Sequence, residues 1–274
     1  MAQKPFIHFK ENDKTMNSIL LKAENLSKSF PDTAHFTRTD TPVLDHLSFE
    51  IRRGEILGLL GESGCGKTTL ARILMGTERA DHGSIWFHNT DLCTLPPRKF
   101  RTYRKQMQMI FQNPFASFDP CMEIGRSLAE PLRLWNRSLN RAERQAAIAE
   151  ICQDCSIDPH SLFKKPAEFS GGQLQRISIA RSLIIHPEFL IADEVVSALD
   201  VPRQEQILSL LLKMREKYGL TILFITHDLA VMKKVSDRIM VMQNGRMIRS
   251  ASPSELFDCA DPYVAELKDA VYSF

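Results

Sequence analysis

Short runs of apolar residues, separated by turn residues, recur along most of the chain and predict eight strands. The predicted strands cover residues 19–25, 43–51, 55–60, 84–88, 107–111, 189–193, 220–226 and 239–243. The clearest turn signals are Gly54, Gly83 and the pair Asn244-Gly245, which is typical of a two-residue hairpin. An apolar strand that leads into a glycine-rich loop and then into a helix is the pattern of an α/β fold.

The middle of the chain, about residues 113–170, has almost no strand pattern. It predicts helices over 124–134 and 140–154 instead, and Asn140 is a residue type that commonly begins a helix. A helical subdomain inserted into an α/β core accounts for this change of pattern.

These patterns divide the chain into five predicted segments. They are a loose tail (1–16), the first part of the α/β core (17–112), a helical subdomain (113–184), the second part of the core (185–250) and a short helical tail (251–274). In the last segment, Ser252, Pro253 and Glu255 occupy the positions of a capping box that opens a short helix.

Composition and charge are those of an ordinary globular protein, with 43% hydrophobic residues, 25% charged residues and a net charge of +2. So small a net charge gives no strong attraction to nucleic acid or to an anionic membrane surface. The apolar runs end after a handful of residues, whereas a membrane-spanning helix needs about 20. Because the first residues lack the apolar stretch of a signal peptide, the six scattered cysteines are expected to be reduced thiols in the cytoplasm.

A glycine-rich loop directly follows the predicted strand 55–60 and matches the phosphate-loop pattern at every fixed position. It reads Gly61-Glu62-Ser63-Gly64-Cys65-Gly66-Lys67-Thr68 and continues with Thr69 into a predicted helix. Backbone N–H groups of such a loop, with the helix N-terminus, bind phosphates. Lys67 adds a cation for the β and γ phosphates, and the Thr68 hydroxyl is a ligand for Mg²⁺.

A second element of the same site is the predicted strand 189–193, which delivers two adjacent acids, Asp193 and Glu194. Asp193 suits the Mg²⁺ shell, directly or through water. Glu194 suits the role of general base toward the attacking water. The phosphate loop and this strand together predict a nucleotide-hydrolysing protein.

The stretch Ser170-Gly171-Gly172-Gln173 closely resembles the signature loop of ATP-binding cassette (ABC) ATPases, usually Leu-Ser-Gly-Gly-Gln, with Phe169 in place of the leucine. The resemblance implies a P-loop NTPase core of RecA-like fold with an N-terminal antiparallel β region and an inserted α-helical subdomain. It also implies ATP and Mg²⁺ as cofactors. In this family the signature loop reaches the γ-phosphate of ATP on a second ATPase subunit, so the chain is expected to dimerise with itself or with a paralogue.

Four other positions match the family in order. Gln112 resembles the Q-loop glutamine, a catalytic residue that also senses Mg²⁺ and the transporter, and Asp200 resembles the D-loop residue at the dimer interface. His227 resembles the switch histidine that contacts the γ-phosphate and holds the base. Phe30 is expected to stack on adenine, with Phe36 as the alternative.

Three stretches resemble the peptide and nickel importer group of the family. They are Met109–Pro120, Ala129–Leu132 and Asp261-Pro262-Tyr263-Val264, the last with Asp and Val where the group has His and Thr. The resemblance implies two membrane permease subunits as partners, an extracytoplasmic solute-binding protein as an indirect partner, and a location at the cytoplasmic face of the inner membrane. The alternatives are an ATPase subunit of an enzyme complex such as phosphonate lyase, and a soluble ABC ATPase outside transport.

Two other features are interpreted as structural. Cys152 and Cys155 have the spacing of half a zinc site but lack a second pair of ligands, so no metal is predicted there. The basic run 98–105 is interpreted as a solvated helix face, and no nucleic-acid partner is predicted.

Overall fold

The computed structural model describes residues 18–31, 40–258, 261–265 and 267, and within them the strands form two sheets. One is an antiparallel sheet with the order β2-β1-β4-β5, composed of β1 (Ile19–Pro31), β2 (Asp40–Arg52), β4 (His82–Phe87) and β5 (Thr90–Asp91). The other has the order β10-β9-β3-β8-β7-β6, composed of β3 (Ile56–Leu60), β6 (Met107–Ile110), β7 (Phe189–Asp193), β8 (Thr221–Ile225), β9 (Arg238–Gln243) and β10 (Arg246–Ala251). Strand β10 is antiparallel to β9, and the remaining pairs of this sheet are parallel.

Eight α-helices of the described residues pack around these sheets. They are α1 (Lys67–Leu74), α2 (Pro97–Tyr103), α3 (Ile124–Trp135), α4 (Arg141–Asp154), α5 (Gly171–Leu183), α6 (Val201–Tyr218), α7 (Leu229–Val235) and α8 (Pro253–Phe257). The Asn140 side chain caps α4 and forms a capping box with Glu143, and Ser252 forms one with Glu255 at α8. Between β6 and β7, the described residues contain helices and no strand.

The sequence pattern located every strand except β5 and β10. Strand β5 is only two residues long, and five of the six residues of β10 are exposed, so neither produces an apolar run. The fold class predicted from the sequence is confirmed. The five segment boundaries remain predictions, and the expected tail over 1–16 lies outside the described residues.

The central strands of the parallel sheet are buried on both faces, and alternate residues belong to two separate hydrophobic cores. In β3, Ile56 and Leu60 pack with the helices α3 to α7, whereas Leu57 and Leu59 pack with α1 and the antiparallel sheet. Strands β7 and β8 divide in the same way. The sheet therefore lies between a helical layer and an antiparallel β layer.

This topology determines where the polar residues meet. Strands β3, β6, β7 and β8 run parallel in one sheet, so their carboxyl ends lie at one edge. The segments that follow these four strands contain the phosphate loop, Gln112, Glu194 and His227, respectively. Among the described residues, no helix has both the length and the apolar character that a membrane crossing requires.

Candidate active site

The loop over residues 61–68 turns sharply between β3 and α1. Gly64 and Gly66 adopt left-handed backbone conformations, with φ of 83° and 107°. A Cβ atom on Gly66 would lie 2.6 Å from the carbonyl oxygen of Val43, whereas a Cβ on Gly64 would meet nothing within 4 Å. The loop is therefore packed against β2 on one side and open at Gly64, as close approach of a phosphate to the backbone requires.

Lys67 begins α1 and is almost fully buried, with 6% of its surface exposed. Its ammonium group donates hydrogen bonds to the carbonyl oxygens of Gly61 at 2.7 Å and Glu62 at 2.6 Å. The N-cap residue Gly66 supplies no side-chain cap, so the first N–H groups of α1 are left for another acceptor. A buried cation beside a helix N-terminus is a strong electrostatic site for a polyphosphate.

Asp193, the last residue of β7, is 7% exposed. Burial and the neighbouring Glu194 carboxylate raise the pKa of Asp193 to about 6, although Lys67 and Arg72 act in the opposite direction. The surroundings therefore favour the protonated form of this carboxyl group, and a further cation beside it would shift the balance toward the charged form.

Glu194 accepts hydrogen bonds from two residues that follow other strands. The Gln112 Nε2 atom donates to Glu194 Oε2 at 2.7 Å, and the His227 Nδ1 atom lies 3.4 Å from Oε1. Glu194 has a left-handed backbone with φ of 48°, and its N–H donates to the carbonyl oxygen of Ile225 at 2.9 Å. Three predicted catalytic residues thus meet at one carboxylate.

The donor groups available here fit magnesium. The Thr68 hydroxyl, the Asp193 carboxylate and the Gln112 amide offer oxygen ligands, which Mg²⁺ prefers. No cluster of three or more His, Cys, Asp or Glu side chains suited to a metal occurs among the described residues. In proteins, Mg²⁺ is usually held by one or two carboxylates together with water and substrate phosphates.

The signature residues form the start of α5. Ser170 is the N-cap and accepts from the Gln173 N–H at 3.4 Å, while the Gln173 side chain accepts from the Ser170 N–H at 3.0 Å. A Cβ on Gly171 would meet nothing within 4 Å, so this helix start has an open face. Phe169 is buried in the helical core, which explains why an aromatic residue can replace leucine there.

The two remaining predicted residues lie at element ends. Asp200 is the exposed N-cap of α6 and accepts from the Arg203 N–H at 3.1 Å. Phe30 is partly exposed at the end of β1, where its backbone pairs with Thr41. The Lys28 ammonium group lies 5.0 Å from the centre of the Phe30 ring. The alternative, Phe36, lies outside the described residues.

Two residues that the sequence had not assigned to the site contact the phosphate loop. The Glu62 N–H donates to the Tyr263 hydroxyl at 3.3 Å, and the Gly245 N–H donates to the carbonyl oxygen of Cys65 at 3.1 Å. Both come from distant parts of the chain. Their only sequence signals were a group resemblance for Tyr263 and a turn signal for Gly245.

Cys152 and Cys155, near the end of α4, are fully buried in the helical core. Burial raises the pKa of Cys152 to about 11 and that of Cys155 to about 12. At neutral pH these thiols are therefore protonated, which makes them poor nucleophiles.

The fold and this site define a P-loop ATPase of the cassette class, and comparison with known proteins agrees. The ABC transporter family matches residues 44–197, and the chain belongs to that family. It is an ATP-binding cassette ATPase.

Relatives and solved structures match over most of the chain. The oligopeptide transport ATP-binding protein OppF of Haemophilus influenzae is 40% identical over 259 residues, which are 92% of this chain and 78% of the relative. OppF of Escherichia coli is 41% identical over 229 residues, 83% of this chain and 69% of the relative. A dimeric post-hydrolysis structure of the cassette MJ0796 with ADP and Pi has a TM-score of 0.76 and 26% identity, covering 85% of this chain and 98% of the other.

Proposed function

We propose that this chain is the ATPase subunit of an importer for a peptide or a related solute, such as nickel or a metal chelate. The names of the OppF relatives support peptide transport over a role in an enzyme complex. In this proposal the chain lies at the cytoplasmic face of the inner membrane and acts with two membrane permease subunits. An extracytoplasmic solute-binding protein delivers the cargo.

The observation that carries the catalytic part is the meeting of Gln112 and His227 on the Glu194 carboxylate. Glu194 acts as the general base that takes a proton from the attacking water. His227 holds that carboxylate and faces the γ-phosphate. Lys67 stabilises the negative charge that develops on the β and γ phosphates.

The remaining residues bind the nucleotide and its metal. The loop 61–68 and Thr69 hold the phosphates, and Phe30 stacks on adenine. Thr68, Gln112 and Asp193 would hold Mg²⁺, which when bound would neutralise phosphate charge. The signature residues 170–173 and Asp200 act across a dimer, on ATP bound to a second ATPase subunit.

A groove of about 880 Å³ supports docking of the membrane subunits. It lies between the end of β6 and the helices α3 and α5. Its lining includes exposed apolar side chains, Phe111 and Leu134, and the basic side chains Arg133 and Arg137. Since Phe111 directly precedes Gln112, a permease segment in this groove pushes on the segment that holds the Glu194 carboxylate.

Hydrolysis tests the catalytic assignment. We expect Glu194→Gln to lower kcat by at least about 100-fold, because removal of a general base costs roughly 10² to 10⁴, while ATP binding persists and ATP-dependent dimers accumulate. Phosphate release and light scattering measure the two effects. The control is Glu216→Gln, at an exposed position of α6. Wild-type kcat in the Glu194 variant would reject the assignment, and dimers only with a paralogue would identify a heterodimer.

Docking is tested separately with two residues of equal exposure. Leu134 lies in the groove and is 40% exposed, whereas Met247 lies on β10 and is 39% exposed. We expect Leu134→Asp to weaken binding to the membrane subunits at least about tenfold, since a buried carboxylate at an apolar contact is costly. Met247→Asp should bind normally in the same co-purification assay. Equal binding of the membrane subunits by both variants would exclude the groove as their docking site.

A further inference from the structure

The segment that carries Asp261-Pro262-Tyr263-Val264 forms a capped helical turn. The Asp261 carboxylate accepts hydrogen bonds from the N–H groups of Tyr263 at 2.9 Å and Val264 at 3.3 Å. The Ala265 N–H donates to the Asp261 carbonyl oxygen at 2.9 Å. Asp at the N-cap and Pro at the first helical position are the residue types that start a helix. This short sequence therefore encodes its own local structure.

The turn is anchored in the helical core. Val264 is fully buried and Tyr263 is 7% exposed, and both belong to the core that also contains Leu256 of α8. Burial of one side of the turn leaves little freedom for the Tyr263 ring. The packing therefore restricts the position of the Tyr263 hydroxyl.

The Tyr263 hydroxyl contacts the phosphate loop. The Glu62 N–H donates to the Tyr263 hydroxyl at 3.3 Å, and the carbonyl oxygen of Glu62 accepts from the Lys67 ammonium group at 2.6 Å. One loop residue is therefore held from two directions, by the C-terminal turn and by the lysine that faces the phosphates. The orientation of the two peptide groups of Glu62 depends on both contacts.

We propose that Tyr263 is a positioning residue for ATP binding: its hydroxyl holds the Glu62 backbone so that the loop 61–68 is preformed for the phosphates. The inference rests on the assignment of that loop as the phosphate site. A preformed loop binds without an ordering cost, so loss of the hydroxyl lowers affinity for the nucleotide. Because the chemical step is performed by Glu194 and its partners, kcat at saturating ATP changes less than KM.

The test compares Tyr263→Phe with Tyr103→Phe. The Tyr103 hydroxyl also forms a hydrogen bond, as the donor to the Thr90 hydroxyl at 3.1 Å, but Tyr103 lies in α2 away from the loop. We expect Tyr263→Phe to raise the Kd and KM for ATP about three- to tenfold, the range for one neutral hydrogen bond, with kcat within about twofold of wild type. Tyr103→Phe should leave both constants unchanged. Wild-type Kd and KM in a folded Tyr263→Phe protein would overturn the proposal, as would a fall in kcat alone.

A measurement on the wild-type chain guards against a variant that does not fold. Hydrogen exchange of the Glu62 amide should be slower than that of the Ser63 amide, because only the former donates to a buried hydroxyl. Equal, fast exchange at both positions would overturn the proposal. The variant Lys67→Ala distinguishes failure of this inference from failure of the phosphate-site assignment. If Lys67→Ala binds ATP as tightly as wild type, the phosphate-site assignment is wrong. If Lys67→Ala loses affinity but Tyr263→Phe binds ATP as tightly as wild type, only the inference about Tyr263 is wrong.

Discussion

Glu194 has a backbone conformation that residues other than glycine rarely adopt, with φ of 48°. Such a conformation costs about 1–3 kcal/mol and persists only where the surroundings hold it. Here the Ile225 carbonyl oxygen holds the Glu194 N–H, and Gln112 and His227 hold the carboxylate. Glu194, which we propose as the base, is therefore one of the residues held in a strained backbone conformation.

The raised pKa of Asp193 leads to a prediction about the pH dependence of stability. Its folded-state pKa, about 6, is above the ordinary value of 3.8. The folded chain therefore holds the proton more tightly, and stability falls as the pH rises from about 4 through 6. We expect Asp193→Asn, without nucleotide or metal, to increase the free energy of unfolding on the order of 2 kcal/mol at pH 8, because the uncharged amide avoids this cost.

Urea unfolding measures the effect at pH 8 and again at pH 4.5, where the gain should shrink since Asp193 is then mostly protonated. Asp258→Asn, at an exposed position, is the control. A gain of the same size at both pH values would contradict the explanation by charge.

Among the elements, the hairpin of β9 and β10 has a role beyond its own sheet. Its turn residues Asn244 and Gly245 have φ of 48° and 78°, as the Asn-Gly pair predicts. The Gly245 carbonyl oxygen accepts from the Asp45 N–H at 3.0 Å, and the Gly245 N–H donates to the Cys65 carbonyl oxygen at 3.1 Å. The turn thus ties β2 to the phosphate loop.

We expect Gly245→Ala to lower the free energy of unfolding by about 3 kcal/mol, since the left-handed conformation and an overpacked site both cost energy. The added Cβ would lie 2.5 Å from the Val43 carbonyl oxygen. Gly54→Ala is the matched control, because Gly54 has φ of 71° but nothing within 4 Å of an added Cβ. It should cost only about 1 kcal/mol. Equal losses in denaturant unfolding would show that conformation alone matters.

At the scale of the whole molecule, a polar contact joins α4 to α6 within the helical layer. The Asp154 carboxylate accepts from the Tyr218 hydroxyl at 2.5 Å and from the Lys217 ammonium group. Burial by itself raises the pKa of Asp154, but the hydrogen bonds from Lys217 and Tyr218 outweigh it and lower the pKa below its ordinary value. The charged form is therefore the one that stabilises this junction.

Because the pKa of Asp154 is lowered on folding, its contribution is fully present above pH 4 and is lost as the pH falls through the folded-state value. We expect Asp154→Asn to lower the free energy of unfolding at pH 7 by about 1–2 kcal/mol, the loss of hydrogen bonds to a charged group. Urea unfolding checks the value. A loss no greater than that of exposed Asp258→Asn would show that the contact does not stabilise the junction.

Only part of the site could be predicted from the sequence. Gly61–Thr68 and the pair Asp193-Glu194 follow apolar strands, and local patterns were enough to assign them to a nucleotide site. Gln112 and His227 are single polar residues after strands, and only resemblance to the family singled them out. Their contact with Glu194 joins residues 82 and 33 positions apart, which no local pattern encodes.

By itself, the sequence determined most of the strands, the α/β class and the phosphate loop. Strand periodicity, capping residues and glycines act within a few positions of the chain, so they can be read without a structure. Only the tertiary structure decided which strand ends lie side by side, why the pKa of Asp193 is raised, and that Gly245 and Tyr263 contact the phosphate loop. Those properties depend on burial and on contacts between distant residues, and both arise only when the two cores close on the central sheet.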